Sequence, residues 1–177
     1  QKGYILKTQA NPGYLEIVEG SIFDHEMVEQ LFYNADLCVN LIGILFEKGK
    51  NNFNNIHVEF PKMISRYAST YKLEKFVHLS ALGIENAKDS IYAQSKLKGE
   101  KEILNNFNKA VIVKPSIVYS VDDNFTTQLM SLLGLLPIFP IYYNGKTKFS
   151  PIHCSDLTNS ITKIITDDIR ENIIEFA

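Results

Sequence analysis

The period of apolar and polar positions changes several times along the chain, and each change predicts a new element. Leu15-Glu16-Ile17-Val18 predicts a short strand, and Asp24 then caps a helix running to about Tyr33. Leu37 to Ile42 is a nearly continuous apolar run, as expected of a strand buried on both faces. Phe53, Ile56, Phe60, Met63, Ile64, Tyr67 and Tyr71 recur at helical spacing, with Pro61 inside expected to kink that helix or start it anew. Phe76 to Leu79 predicts the next buried strand, and Tyr92 to Phe107 a charged amphipathic helix. Val111-Ile112-Val113 predicts another strand, ended by Lys114-Pro115. Repeated β-α units of this length imply a parallel sheet with helices on both faces. After Pro115 the rhythm breaks. A helix near Asp123–Leu133, a Pro-rich apolar segment, a strand near Phe149–Cys154 and a helix capped by Ser155, with Asp156 in its first turn, complete the reading.

Composition narrows the class. The 177 residues are one domain's worth of chain, 45% hydrophobic and 21% charged with a net charge of −2, the balance of a globular protein. No strongly basic patch or tail points to nucleic acid as a partner. Cys38 and Cys154 lie far apart with no metal-type clustering and read as reduced thiols, which suits a reducing compartment. The most apolar stretch, Leu129 to Tyr143, is too short to span a bilayer and is interrupted by Ser131, Gly134, Pro137 and Pro140. It either packs inside a smaller lobe or forms a docking surface. The start, Gln1-Lys2-Gly3, has no initiating Met, as if cut from something longer.

Candidate chemistry sits where the strands end, because ligands of open parallel sheets bind outside the carboxyl ends of the strands. Those ends read Gly20-Ser21-Ile22-Phe23-Asp24, Asn40-Leu41-Ile42-Gly43, Ser80-Ala81-Leu82-Gly83 and Pro115-Ser116-Ile117-Val118. Each alone is compatible with an ordinary turn, whereas four in series suggest a shared cofactor crevice. Tyr92 and Lys96 add a sharper signal, since residues four apart share a helix face. Bringing a tyrosine from a pKa near 10 into useful range takes a shift of about 3 units, roughly 4 kcal/mol. One ammonium at about 4 Å supplies roughly that much before its own desolvation cost. The chain has two further pairs at this spacing, Tyr71–Lys75 and Tyr142–Lys146. Only Tyr92–Lys96 opens a helix after a strand end carrying a serine, Ser80, whose hydroxyl could polarise a substrate carbonyl. The plainer alternative is a half-buried tyrosine beside a solvated lysine. His57 is expected on the long helix facing the crevice, either as a structural residue or as part of the site. His25, His78 and His153 show no metal-ligand spacing.

Taken in order, Gly20 to Asp24, Asn40-Leu41-Ile42-Gly43, Phe76-Val77-His78-Leu79-Ser80, Tyr92…Lys96 and Lys114-Pro115-Ser116-Ile117-Val118-Tyr119 resemble the atypical short-chain dehydrogenase/reductases, the NAD-dependent epimerase/dehydratase-like proteins. Within them the chain is most similar to the branch containing the nucleotide-binding accessory subunit of respiratory complex I and its bacterial relatives. The resemblance implies an α/β fold: a Rossmann-type doubly wound parallel sheet with a small C-terminal substrate-side lobe, its first β-α unit missing. Residues 1–118 would form a partial NAD(P)-binding domain and 119–177 a dependent lobe. It implies NAD or NADP as cofactor, with Ser21 and Ile22 bordering the adenine and Leu41, Ile42 and Gly43 the ribose and pyrophosphate. Pro115 and Ile117 would border the nicotinamide, and Ser80, Tyr92 and Lys96 would match the catalytic triad.

This chain departs from the pattern in three places. No GxxGxxG loop is present, Ser120 replaces a glycine, and His57 stands where extended relatives usually carry an active-site asparagine. In the complex I branch the nucleotide is held structurally. The leading expectation is therefore a nucleotide-holding assembly protein. Its partner would be complex I or another membrane-associated assembly, in the bacterial cytoplasm or the mitochondrial matrix, with peripheral attachment at the inner membrane as an option. The alternatives are an active NAD(P)-dependent reductase or epimerase and a non-catalytic NAD(P) redox sensor.

Overall fold

The computed structural model describes residues 10–121, 149–167 and 169–177, with residues 6, 8, 123, 127, 130, 131 and 134 singly. The expected helix near Asp123–Leu133, most of the apolar stretch Leu129–Tyr143 and the pair Tyr142–Lys146 fall outside the described residues. Met130, which is described, is exposed.

Four parallel strands form the main sheet in the order β1-β2-β3-β6. They are β1 (Leu37–Asn40), β2 (Lys75–Leu79), β3 (Val111–Pro115) and β6 (Ile173–Phe176). Alternate side chains leave opposite faces, as the period of a strand requires. Phe76 and Ile112 enter one core with Phe60, Ile64, Ile103 and Phe107 from helices α2 (Phe60–Thr70) and α3 (Ile91–Asn106) and the residue that follows α3. Val77, Val111 and Val113 enter another with Leu157 and Ile164 from α4 (Cys154–Thr166). The sheet is thus covered on both faces, as expected. A small second sheet pairs β4 (Val118–Tyr119) with β5 (Ile152–His153).

Local signals explain most boundaries. Asp24 caps α1 (His25–Gln30), its carboxylate accepting from the Met27 N–H at 3.1 Å. Ser90 caps α3 by accepting from the Ala93 N–H at 3.2 Å. Pro61 starts a helix anew. Asn54–Glu59 is a π-helical turn, and α2 begins beyond it with the proline in its first turn. Proline has no N–H to return to the carbonyl four residues back, that of His57, so α-helical bonding cannot run continuously through this point.

The structure corrects three boundaries. Leu15–Val18 forms no strand; it is extended coil with Leu15 and Val18 exposed. A strand exists only with a ladder partner, and none pairs with this segment among the described residues. The strand expected over Leu37–Ile42 stops at Asn40 and is not buried on both faces, Leu37 being 38% exposed. Its only neighbour among the described residues is β2, so β1 is an edge of the sheet they form. Finally, His153 and not Ser155 caps α4. The His153 ring Nδ1 accepts from the Ser155 N–H at 3.3 Å, which leaves a two-residue β5 where a longer strand was expected.

Candidate functional site

The carboxyl ends of β1, β2 and β3 open side by side, and the first turns of α3 close one flank. Asn40 ends β1 buried. Its side-chain oxygen accepts from the Ile42 N–H at 3.1 Å, and its amide nitrogen meets His78 Nδ1 at 3.0 Å across the ladder. That pair holds the Leu41–Gly43 turn to the sheet. Since the amide nitrogen donates, His78 carries its proton on Nε2, which has no partner among the described residues. Burial, then the positive charge of Lys96, holds His78 down to about 3.

Lys96 and Gly43 come together, as the spacing predicts. The Lys96 ammonium donates to the Leu79 carbonyl at 3.1 Å, and a Cβ built on Gly43 would lie 3.3 Å from that nitrogen. Glycine lets the β1 turn approach the lysine, where any side chain would press on it. Burial lowers Lys96 to about 8, and the nearby Glu100 works against that shift. Tyr92 is half-buried in a ring cluster, edge-on to His57 at 5.3 Å and to Phe53 at 5.8 Å. Its hydroxyl makes no hydrogen bond to Lys96 or Ser80, and burial raises its pKa. The expected depression of the phenol by Lys96 is therefore absent in this conformation. Burial is the cause of the upward shift, and Lys96 places its hydrogen bond on the Leu79 carbonyl and not on the phenol.

Ser80 is also turned away from the expected role. Its hydroxyl donates to the buried carboxylate of Glu100, the other oxygen of which is 3.0 Å from the Lys114 ammonium. Lys114 also pairs with Glu85. Burial disfavours the Lys114 charge, but the carboxylates Glu85 and Glu100 more than offset it and hold the pKa above the ordinary value. The sequence reading passed over this network, though its signals were present. Lys114 stands in the run Val111-Ile112-Val113-Lys114-Pro115, and a charge inside a strand covered on both faces must find a partner. Glu100 is one helical turn beyond Lys96, on the same face.

The remaining candidates divide. Ser21 and Ile22 line a groove of about 440 Å³ together with Asn40, Ile42, Cys38, Phe60 and other residues along the β1 edge. Ser21 accepts from the Phe23 N–H at 3.2 Å. Leu41 is outside that groove's lining and 61% exposed. Pro115 is buried at the end of β3, where its carbonyl accepts from the Leu82 N–H at 2.9 Å and so ties the Ser80–Gly83 turn down. Ile117 is half-buried, and its carbonyl accepts from the Ile152 N–H of the second sheet. The Ser80, Lys96 and Gly43 neighbourhood and the Ser21–Ile22 groove thus lie on either side of the Leu41–Gly43 turn.

This sheet order, two-faced cover and strand-end crevice define a Rossmann-type α/β fold. Solved structures agree in fold. A UDP-glucuronic acid 4-epimerase from Bacillus cereus, in complex with UDP-glucuronic acid and NAD, superimposes with a TM-score of 0.75 at 18% identity, over 99% of this chain and 64% of that one. A dTDP-4-dehydrorhamnose reductase from Bacillus anthracis, in complex with NADP, does so at 0.70 and 17%, over 100% and 71%. No protein-family model matches the chain.

In sequence the chain is similar to mitochondrial NADH dehydrogenase [ubiquinone] 1 alpha subcomplex subunit 9. The Dictyostelium discoideum protein is 27% identical over 173 residues, 97% of this chain, and the mouse protein 25% identical over 162 residues, 92% of this chain. A Caulobacter vibrioides ceramide reductase is 23% identical over 142 residues, 80% of this chain. The chain spans about half the length of the curated relatives it matches, 43% of the mouse protein and 48% of the Dictyostelium protein.

Proposed function

We propose that this chain holds NAD or NADP as a structural group, in the manner of an accessory subunit of respiratory complex I, and does not turn it over. The observation that carries this reading is the orientation of Ser80. A carbonyl-polarising serine must offer its proton to the substrate, and here that proton goes inward to Glu100. Lys96 donates to Leu79 and Tyr92 is a neutral phenol, so all three residues of the triad pattern are engaged with the protein or held in its rings.

The residues present fit the adenine end of a dinucleotide, where the groove at Ser21 and Ile22 has an apolar wall, and Gly43 lets the β1 turn close on the Lys96 ammonium. Ser21 and Ile22 would border the adenine. Leu41, Ile42 and Gly43 would lie along the ribose and pyrophosphate, Tyr92 and Lys96 beside the second ribose, and Pro115 and Ile117 against the nicotinamide. Hydride exchange is the chemistry such a group supplies when bound. The partner on this reading is complex I or another membrane-associated assembly, and the compartment the mitochondrial matrix or its bacterial counterpart. Residues 1–118 supply the nucleotide side, and within 119–177 α4 and β6 complete the same sheet and core, so that a dependent lobe on this reading is confined to the residues between β4 and β5. No described helix is long and apolar enough to cross a membrane.

A second reading, an active reductase, is favoured by the sequence likeness to the Caulobacter ceramide reductase together with the presence of Tyr92 and Lys96. Calorimetric titration of NADH and NADPH, followed by an assay of their oxidation with carbonyl acceptors, separates the two. The expected result is binding of one dinucleotide with no oxidation, and an affinity in Tyr92→Phe within about twofold of the parent. Sustained oxidation abolished by Tyr92→Phe would establish the reductase. Absence of binding by either dinucleotide would remove the nucleotide-holding reading.

A further inference from the structure

His57 lies in the π-helical turn Asn54–Glu59, buried, with its ring stacked on Phe53 at 5.4 Å. Both ring nitrogens are engaged. The Ile44 N–H donates to Nε2 at 3.1 Å, so Nε2 is bare. On the other side Nδ1 is 2.9 Å from the Ser95 hydroxyl oxygen. Ser95 has already given its own proton to the Tyr92 carbonyl at 2.7 Å, so it offers His57 only a lone pair, and Nδ1 must carry the proton. These bonds define one tautomer of a neutral imidazole. They join three elements that are far apart in sequence: the turn after β1, the π-helical turn and the first turn of α3.

We infer that His57 is a positioning residue, a neutral clamp that sets the separation between the Gly43–Ile44 turn and the Tyr92 end of α3. It is not a proton relay, because a relay through it would have to break one of the two bonds that hold the crevice together.

A second feature of the backbone supports the assignment. A Cβ built on Gly99 would lie 1.8 Å from the His57 carbonyl oxygen, so the π-helical turn is pressed against α3 at a point that only glycine permits. That close approach brings the imidazole within reach of Ser95 while Nε2 faces the β1 turn; the ideal Cβ of Gly43 would lie 3.8 Å from it. The groups facing the ring are Phe53 from the approach to the π-helical turn, Tyr92, Ser95 and Lys96 from α3, and His78 from β2. None is a carboxylate that would stabilise an imidazolium. Burial, and then the Lys96 charge, lowers His57 to about 4.

The test uses the 177-residue chain with nitrogen-15 imidazole spectra and amide hydrogen exchange. The expected spectrum shows His57 protonated on Nδ1 and bare on Nε2 throughout pH 5.5 to 8. An Nε2–H tautomer, or titration near the ordinary histidine pKa of about 6.5, would overturn the inference. Substitution sharpens it. His57→Gln can still present an oxygen near the Nε2 position, whereas His57→Asn is too short to reach Ile44. Protection of the Ile44 amide should therefore stay within about threefold in the Gln variant and fall at least about tenfold in the Asn variant, the loss of one buried hydrogen bond. Equal protection in both variants would sink the idea even if one of them is destabilised, because the parent's tautomer is read independently.

The consequence for ligand rests on the nucleotide-holding reading. NADH affinity should drop about tenfold in His57→Asn and recover to within about threefold in His57→Gln. If the parent chain binds no NADH, that reading fails while the tautomer and the Ile44 exchange still decide the role of His57.

Discussion

Two sides of the same crevice are built on opposite plans. At β2, β3 and α3 the buried polar groups are consumed: Ser80, Glu100 and Lys114 form one chain of hydrogen bonds and ion pairs that ends on the exposed Glu85, and Lys96 reaches a backbone carbonyl. At the β1 edge apolar groups are left in water, with Leu37, Ile42 and Val18 exposed along a groove and Leu41 exposed beyond its lining. The first side is finished by its own residues. On the second, apolar side chains remain exposed along the groove. The contrast teaches that residue types which signal catalysis in a sequence can be structural in the fold. Function is better sought where burial is incomplete.

The largest effect that could break this contrast is expected at Lys114. Lys114→Ala leaves the Glu100 carboxylate buried without its 3.0 Å cation and should cost roughly 3–5 kcal/mol by urea unfolding. Removing both charges together, as Lys114→Met with Glu100→Leu, should recover most of that loss. A loss below about 1 kcal/mol for the single variant would mean that water reaches the network, and that the finished side is not finished.

Gly99→Ala comes next. The added methyl meets a backbone oxygen and not a flexible side chain, so either the π-helical turn or α3 must move, at a cost of about 1–3 kcal/mol. The unfolding midpoint measures the cost, and the Ile44 amide should lose protection in parallel. Unchanged protection would show that the His57 clamp does not depend on this approach.

Acidification probes the same buried side. His57 and His78 are held neutral, at about 4 and about 3, against an ordinary value of 6.5. Between those limits the unfolded chain binds more protons than the folded one, so stability must fall as pH falls. It is present in full above about pH 6.5 and is lost progressively toward pH 4, by up to about 1.4 kcal/mol per ring for each pH unit. His57→Gln should make the decline shallower. Unfolding curves that do not change between pH 7 and pH 5 would contradict the burial of both rings.

The smallest effect is expected on the open side. Leu41→Ser should change stability by no more than about 0.5 kcal/mol, because its side chain already stands in water. A larger loss would mean that the β1 turn is packed more tightly than its exposure indicates. A weaker NADH affinity at unchanged stability would instead support the dinucleotide's path across this turn.

Much of the architecture was legible in the chain before any coordinates. The alternation of apolar runs with helical spacing predicts the parallel sheet, because period is a local property of the backbone. Asp24 as a cap and Pro61 as a restart are equally local, each acting on N–H groups within four residues. The approach of Lys96 to Gly43 also followed from strand ends and helix faces. What failed locally was Leu15–Val18. Its composition suits a strand, but a strand needs a neighbour, and neighbours are a property of the sheet.

The chemistry of the site was decided almost wholly by tertiary structure. Lys96 and Ser80 each make a hydrogen bond whose direction depends on a residue 17 or 20 positions away in the chain: Leu79 for Lys96, and Glu100 for Ser80. His57 shows the same division. Its position on a helix could be read from spacing, but its tautomer, and with it whether it can pass a proton, is set by Ile44 and Ser95, 13 and 38 residues away. Spacing along a chain records which groups can share a face. Which of them donates, which accepts and which loses its water is fixed only when the elements pack, because burial and hydrogen-bond partnership are properties of the assembled neighbourhood.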